Sequence, residues 1–390
     1  MKNHNFNSTI SSIKLLKYIA FIFLTISIYS CEAQEKNTLQ FIYTSDSHFG
    51  ISRPEFRGNK EVSAQIVNQA MVEKMNALPT ATLPLDKGVN SGKVIGPIDY
   101  LINTGDIANR EEKGVQTAKK SWDEFVTTYL EGIKLKGENG EPTKFLLLPG
   151  NHDVSNAIGH FKIDAPIDNT AMVEIYNYMF PNSPKTSATY NYKIDKIHYS
   201  KDILGIHLAF INMWPDSNER AWLANDLKSI SSSTPVLLFM HDQPDIESKH
   251  FINPNKDHSI NSFDKFENLL EDEFKDGKTI KEESTIEQRE LVAFLKLHKN
   301  IKAYFHGNNN ENRFFDYHGP DNDISLKILQ VDSPMKGNFS KNDEKLLSFQ
   351  LVSIDSKKKI ITVRECLWNS DLATLNSPIV WGKSTTFSLE

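Results

Sequence analysis

Residues 144–153 read KFLLLPGNHD. The unbroken apolar run from Phe145 to Leu148 is expected to form a strand with no solvated face. Pro149 and Gly150 break it, and Asn151, His152 and Asp153 follow at once. Open α/β sheets build their sites from polar groups displayed just past the ends of buried strands. This stretch therefore points to an α/β protein whose sheet is covered on both faces. An amide, an imidazole and a carboxylate in a row suit a metal or phosphate centre better than a core. A bland turn also reads GNHD, but here the pattern recurs along the chain.

Thr38 to Thr44 alternates and is rich in β-formers, so it reads as the first strand, ending in Asp46 and His48. Two residues apart in extended backbone, these side chains would point the same way. Glu61 to Leu78 has helical spacing and reads as a crossover helix. Residues 79–97 form a long irregular connection expected to shape the site. Asp99 to Thr104 is the second strand, ending in Gly105-Asp106, and the aromatic stripe of Thr117 to Ile133 marks a core-facing helix. The order to this point is β-α-β-α-β. Right-handed crossovers would bring Asp46, Asp106 and Asn151 to one sheet edge.

Further on, Ala171 to Phe180 reads as a helix, and Thr189 to Ile194 and Ile203 to Ile211 as strands. His207, inside the latter, reads as a hydrogen-bonded core histidine. A short helix spans Glu219 to Leu227. Thr234 to Met240 is another buried strand and delivers His241. Residues 245–281 are a polar insertion placed over the site edge. A helix opens at Ser284 with capping-box spacing. The strand Ile301 to Phe305 then delivers His306, Gly307, Asn308, Asn309 and Asn310, with Arg313 close behind. Ile324 to Val331, Leu346 to Ile354 and Ile360 to Arg364 read as strands of a second sheet.

The net charge of −6 gives no support for a general nucleic-acid binder, and no nucleic-acid partner is expected. There are two cysteines and no CxxC, so neither a zinc knuckle nor a disulfide scaffold is indicated. Residues 1–30 have a basic start and a short apolar run, the layout of a secretory signal. Ile28 to Cys31 resembles a bacterial lipobox. That resemblance implies cleavage before Cys31, a lipid on its thiol, a tether over 31–37 and export to the cell envelope, where the lipid anchors the protein to the membrane. Cys366 is then expected to be buried and inert.

Mixed carboxylate, imidazole and amide donors at strand ends suit a pair of divalent ions. A carboxylate such as Asp106 can bridge two ions about 3.5–4 Å apart, which together serve hydrolytic phosphoryl transfer. Other chemistries lack their signatures: there is no GxGxxG after the first strand, no Walker lysine and no GxSxG.

DSH (46–48), GDIANR (105–110), GNHD (150–153), His241 and the Gly-led cluster 307–310 resemble, in order, the signatures of the calcineurin-like metallophosphoesterase family. The resemblance covers about residues 38–335, leaving 336–390 as antiparallel strands completing the second sheet. It implies a four-layer α/β/β/α sandwich of two mixed sheets around a binuclear metal centre. Asp46 and His48 would bind the first metal, Asp106 would bridge, and Asn151 and His241 would bind the second. His152 would assist phosphate binding or protonate the leaving group, and a bridging hydroxide would attack a phosphate-ester substrate. The chain departs from the family at its last motif, where GHxH is replaced by Gly307, Asn308, Asn309 and Asn310. Amide oxygens are harder and weaker donors than imidazoles, which shifts the expectation toward Mn, Mg or Ca rather than Zn, within a family range of Mn, Mg, Fe or Zn. His306 is a candidate replacement ligand, and Arg110 and Arg313 are candidate phosphate clamps. The other reading is a surface binding protein on a phosphoesterase scaffold, weakened in catalysis by its two asparagines.

Overall fold

The computed structural model describes residues 37–109, 116–154, 168–192, 194–246, 285–371 and 378–390. Arg110, Cys31 with the leader segment, and nearly all of the 245–281 insertion lie outside the described residues.

β1 (Thr38–Thr44) is buried from Leu39 onward. A tight hairpin follows, β2 (Ser52–Phe56) and β3 (Asn59–Ser63), turning through Arg57 and Gly58, both at positive φ. The hairpin claims Glu61 to Ser63, so the helix α1 (Ala64–Ala77) starts three residues later than its spacing suggests. β4 (Tyr100–Asn103) precedes α2 (Ala118–Phe125), which runs on as a π-turn to Leu130. Its stripe is core: Trp122, Phe125 and Tyr129 stack at 5.5 and 4.9 Å. β5 (Lys144–Leu147), the one-turn α3 (Asn151–Val154) and α4 (Thr170–Met179) complete the first half.

Residues 189–192 are not a strand. The Tyr190 amide donates to the Thr186 carbonyl, and the alternating tyrosines reflect burial of Tyr190 and Tyr192 in a folded turn. The expected strand 203–211 is a hairpin, β6 (Tyr199–Ile203) and β7 (Ile206–Phe210), because Leu204 and Gly205 turn at positive φ. His207 is a satisfied core histidine, 2.8 Å from Asp202 and 2.7 Å from Asp226. α5 (Ser217–Asp226), β8 (Val236–Phe239), α6 (Thr285–Leu297) and β9 (Ile301–His306) follow. The remaining strands are β10 (Arg313–Tyr317), β11 (Leu326–Gln330), β12 (Ser348–Asp355), β13 (Ile360–Leu367) and β14 (Val380–Ser388).

Two mixed six-stranded sheets result, ordered β14-β13-β12-β1-β4-β5 and β10-β11-β9-β8-β7-β6. β1, β4 and β5 are parallel in one; β7, β8, β9 and β11 are parallel in the other. The sheets meet through aromatic rings. Tyr43 of β1 lies edge-on to Phe305 of β9 at 5.2 Å, and Phe41 to Phe239 of β8 at 5.9 Å. With helices outside, this is the four-layer α/β/β/α sandwich. The C-terminal strands correct one expectation. They do not complete the second sheet: β12 pairs antiparallel with β1 and extends the first, while β11 joins β9 in the other.

The connection 79–97 also departs from its expected role. Arg364 of β13 grips Asp86 at 2.7 and 3.0 Å and the Val89 carbonyl at 2.8 Å, and Gln40 donates to the carbonyls of Ile95 and Pro97. Gln40 lies six positions before Asp46, roughly 20 Å along a strand path. This connection is packed at the far end of β1 and does not shape the site.

Candidate metal centre

The parallel strands deliver their carboxyl ends to one edge, and the turns beyond them carry the polar groups. Asp46 and His48 follow β1, Asp106 follows β4, Asn151 and His152 follow β5, His241 follows β8, and Asn308 and Asn310 follow β9. Asp46 and His48 do converge, with His48 Nε2 3.5 Å from Asp46 Oδ1, but not through extended backbone. Both sit at positive φ (57° and 44°), as do Asp106, Asn308 and Asn310. This backbone region is sparsely used by residues other than glycine and is held only when surrounding contacts over-determine it. Here the Asp46 amide donates to the Gly105 carbonyl at 2.8 Å and the His48 amide to the Asp106 carbonyl at 2.9 Å. Gly307 is required by space, since a Cβ there would strike Ser45 Oγ and Asp46 Oδ2.

Asp106 is the hub. Its Oδ1 accepts the His152 amide at 2.8 Å and lies 3.3 Å from His241 Nε2. Its Oδ2 lies 3.7 Å from His48 Nε2 and 3.9 Å from His152 Nε2. Two buried triads form around it, His48–Asp106–His152 and Asp46–Asp106–His241, each with its ligand atoms within 4.8 Å of one another. Asn151 Oδ1 stands 3.1 Å from His241 Nε2.

The electrostatics require a cation. His241 Nδ1 donates to the Thr104 carbonyl at 2.9 Å, which turns the Nε2 lone pair of a neutral ring toward two oxygens, Asp106 Oδ1 and Asn151 Oδ1. Only a proton or a metal ion between them relieves that. Burial alone would lower the His241 pKa, but Asp106, Asp46 and Asp242 push it up to about 10. Burial pushes the Asp46 carboxyl up, yet the neighbouring His48 and His241 hold it at about 2. Asp46 Oδ1, His48 Nε2 and Asn310 Oδ1 are buried and make no hydrogen bond. Orphaned donor atoms of this kind are what a metal ion satisfies, and the residues fit divalent ions.

Three sequence candidates are placed elsewhere. His306 ends β9 with Nδ1 donating to the Gly307 carbonyl at 2.9 Å and joins neither triad. Arg313 lies exposed on β10, paired with Glu311 at 3.1 Å and stacked over Phe315, so it is a surface ion pair and not a phosphate clamp. Asn308 turns its Nδ2 to Gln243 at 2.8 Å, while its amide fixes Asp46 Oδ2 at 3.0 Å. Arg110 lies outside the described residues.

Two further residues are tied into the centre. Asp153 is fully buried and accepts the amides of Gly150, Ala108 and Ile107 at 2.8, 2.8 and 3.2 Å, joining the Asp106 loop to the Asn151 loop. Its place directly after Asn151 and His152 was the only signal. Lys336 brings its Nζ to 3.3 Å from His152 Nε2 and had no signal in the sequence.

Fold and ligands together define a metal-binding α/β protein of the metallophosphoesterase kind. The sequence matches the calcineurin-like phosphoesterase family over residues 39–332, and the chain belongs to that family. No curated protein matches it. Among solved structures it is similar to PhoD, at 9% identity and TM-score 0.48, covering 91% of this chain and 70% of that one. A single-substitution variant of Vps29 from Entamoeba histolytica follows at 10% identity and TM-score 0.32, covering 90% and 100%. The calcineurin-like phosphoesterase YfkN from Bacillus subtilis stands at 10% identity and TM-score 0.29, covering 90% and 91%. Likenesses at these scores say nothing about substrate.

Proposed function

We propose that the protein is a metal-dependent phosphoric ester hydrolase, a phosphomonoesterase or phosphodiesterase, working with two divalent ions. The observation that carries this reading is that both ligand triads share Asp106. A shared carboxylate suits a pair of ions about 3.5–4 Å apart, the spacing of two-metal phosphoryl sites. Asp46, His48 and Asp106 would hold one ion and Asp106, Asn151 and His241 the other, with Asn310 Oδ1 as a further donor, while Asn308 serves through its backbone amide. Ions held there would supply water activation and charge neutralisation at the phosphoryl oxygens. The chain's own groups do the rest. Asp153 and the His152 amide aim Asp106, and the Asn308 amide fixes one Asp46 oxygen so that the other faces inward. His152, whose ring stands 4.9 Å from that of His48, is placed to hand a proton to the leaving oxygen.

Hydrolysis of p-nitrophenyl phosphate and of bis-p-nitrophenyl phosphate, with and without chelator, tests the reading. Chelator-sensitive turnover that Asp106→Ala abolishes supports it. Ligand binding without turnover at saturating Mn would leave a binding protein on this scaffold.

Export and lipid attachment at Cys31 are part of the same proposal, supported by the basic-then-apolar layout of residues 1–30. No described helix is long and apolar enough to cross a membrane. Loss of a membrane-fraction signal in Cys31→Ser, measured in cells, is the expected outcome.

A further inference from the structure

The turn carrying Lys336 is tied to both sides of the metal centre. Ser333 Oγ donates to the Asp46 carbonyl at 2.8 Å and accepts the amides of Met335 and Lys336 at 3.2 and 2.9 Å. Two residues after Lys336, the Asn338 amide donates to the Asn310 carbonyl at 2.6 Å and Asn338 Nδ2 to the Asn309 carbonyl at 2.8 Å. Buried Arg53 holds the Pro334 carbonyl at 3.0 Å. Lys336 is thereby slung between the Asp46 loop and the Asn308–Asn310 loop. Its half-buried side chain ends at His152, with Nζ 3.3 Å from Nε2.

A fixed ammonium beside a site built for divalent cations adds to its positive potential, and an anion bound across both gains from each. An ester's phosphoryl group is such an anion, with oxygens enough for both. We infer that Lys336 binds a non-bridging phosphoryl oxygen of the substrate, on the His152 side of the metal centre. The inference rests on the phosphoesterase reading and narrows it. A third cationic contact gains most from a dianion with three free oxygens, so the site favours phosphomonoesters over diesters. Lys336 takes the place that Arg313 does not fill.

The test is binding of inorganic phosphate to the metal-loaded protein by titration calorimetry, in wild type, Lys336→Met and Lys336→Arg, after elemental analysis of each. Metal content is expected to be equal in all three. Phosphate affinity is expected to fall about tenfold or more in Lys336→Met and about threefold or less in Lys336→Arg. Turnover of p-nitrophenyl phosphate is expected to drop more than that of the bis-ester. Unchanged phosphate affinity in Lys336→Met would overturn the inference, and so would loss of an ion in that variant, which would make Lys336 a support of the metal site. Phosphate binding that depends on Lys336, without turnover of any ester, would overturn the hydrolase reading alone. Turnover indifferent to Lys336 would overturn the clamp alone.

Discussion

The backbone amide of His152 donates to Asp106 Oδ1 at 2.8 Å, while the His152 ring lies 3.9 Å from Asp106 Oδ2. One residue thus aims the carboxylate that both triads share and stands at the edge of the space it faces. Asp106→Asn keeps the shape but removes the charge shared by two ions. Outer partners of metal ligands alone are worth about 10–100-fold in metal affinity, so a shared ligand is expected to cost about a hundredfold or more. Calorimetric titration with Mn checks this, alongside circular dichroism to show that the fold is kept.

Metal binding is expected to release protons. Without metal, His241 is pushed up to about 10 and carries a proton at pH 8, which a ligating imidazole must give up. About one proton per chain should leave on loading at pH 8, read from calorimetry in buffers of different ionisation enthalpy. The same shift sets the pH response of the metal-free protein. A histidine with a raised folded pKa contributes stability that is complete below about 6.5, its unfolded value, and is lost as pH rises through about 10. His241→Gln should remove that alkaline loss in denaturant titrations of the metal-free form.

Much of the centre was legible because each ligand loop follows an apolar run ended by a breaker or a polar turn. Asp46, Asp106, Asn151 and His241 were readable in that way, and parallel crossovers placed the first three on one edge. The rest was decided by contacts distant in sequence. β12 pairs with β1 across some three hundred residues, so no local pattern in 348–355 could name its sheet. His48 reaches Asp46 through two left-handed residues, a conformation set by carbonyls of the Gly105–Asp106 turn and invisible to strand periodicity. Arg313 looked close to the site in sequence, but the chain enters β10 and carries it to the surface. Lys336 sits in a turn without periodicity, and only Ser333 and Asn338 reveal where it belongs.

The two asparagines give a prediction on ion preference. Asn310 Oδ1 is a buried oxygen without a hydrogen bond, while Asn310 Nδ2 bonds the Asn308 carbonyl at 2.8 Å. Replacing this hard donor with an imidazole should favour borderline ions. Asn310→His is expected to tighten Zn binding by about tenfold while leaving Mg binding near wild type, measured by competition with a chromophoric chelator.

Far from the centre, Arg364 and Asp86 pin the 79–97 connection to β13. Burial raises the Asp86 carboxyl, but the Arg364 guanidinium and the Gly88 amide outweigh it and keep the pKa below the ordinary value. Asp86→Ala leaves the buried Arg364 without its carboxylate partner and should cost about 3 kcal/mol at pH 7. A depressed folded pKa contributes stability above the unfolded value, about 3.9, and loses it as pH falls through the folded one. The gap between wild type and variant in urea titrations should therefore close in acid, with phosphate-ester turnover unchanged.

Metal content per chain, after purification in mixed divalent ions, decides whether Asp106 organises a two-ion centre. Two ions in wild type are expected, both lost or greatly weakened in Asp106→Ala. One ion or none in wild type with Mn in excess, or two ions retained without Asp106, would contradict that arrangement.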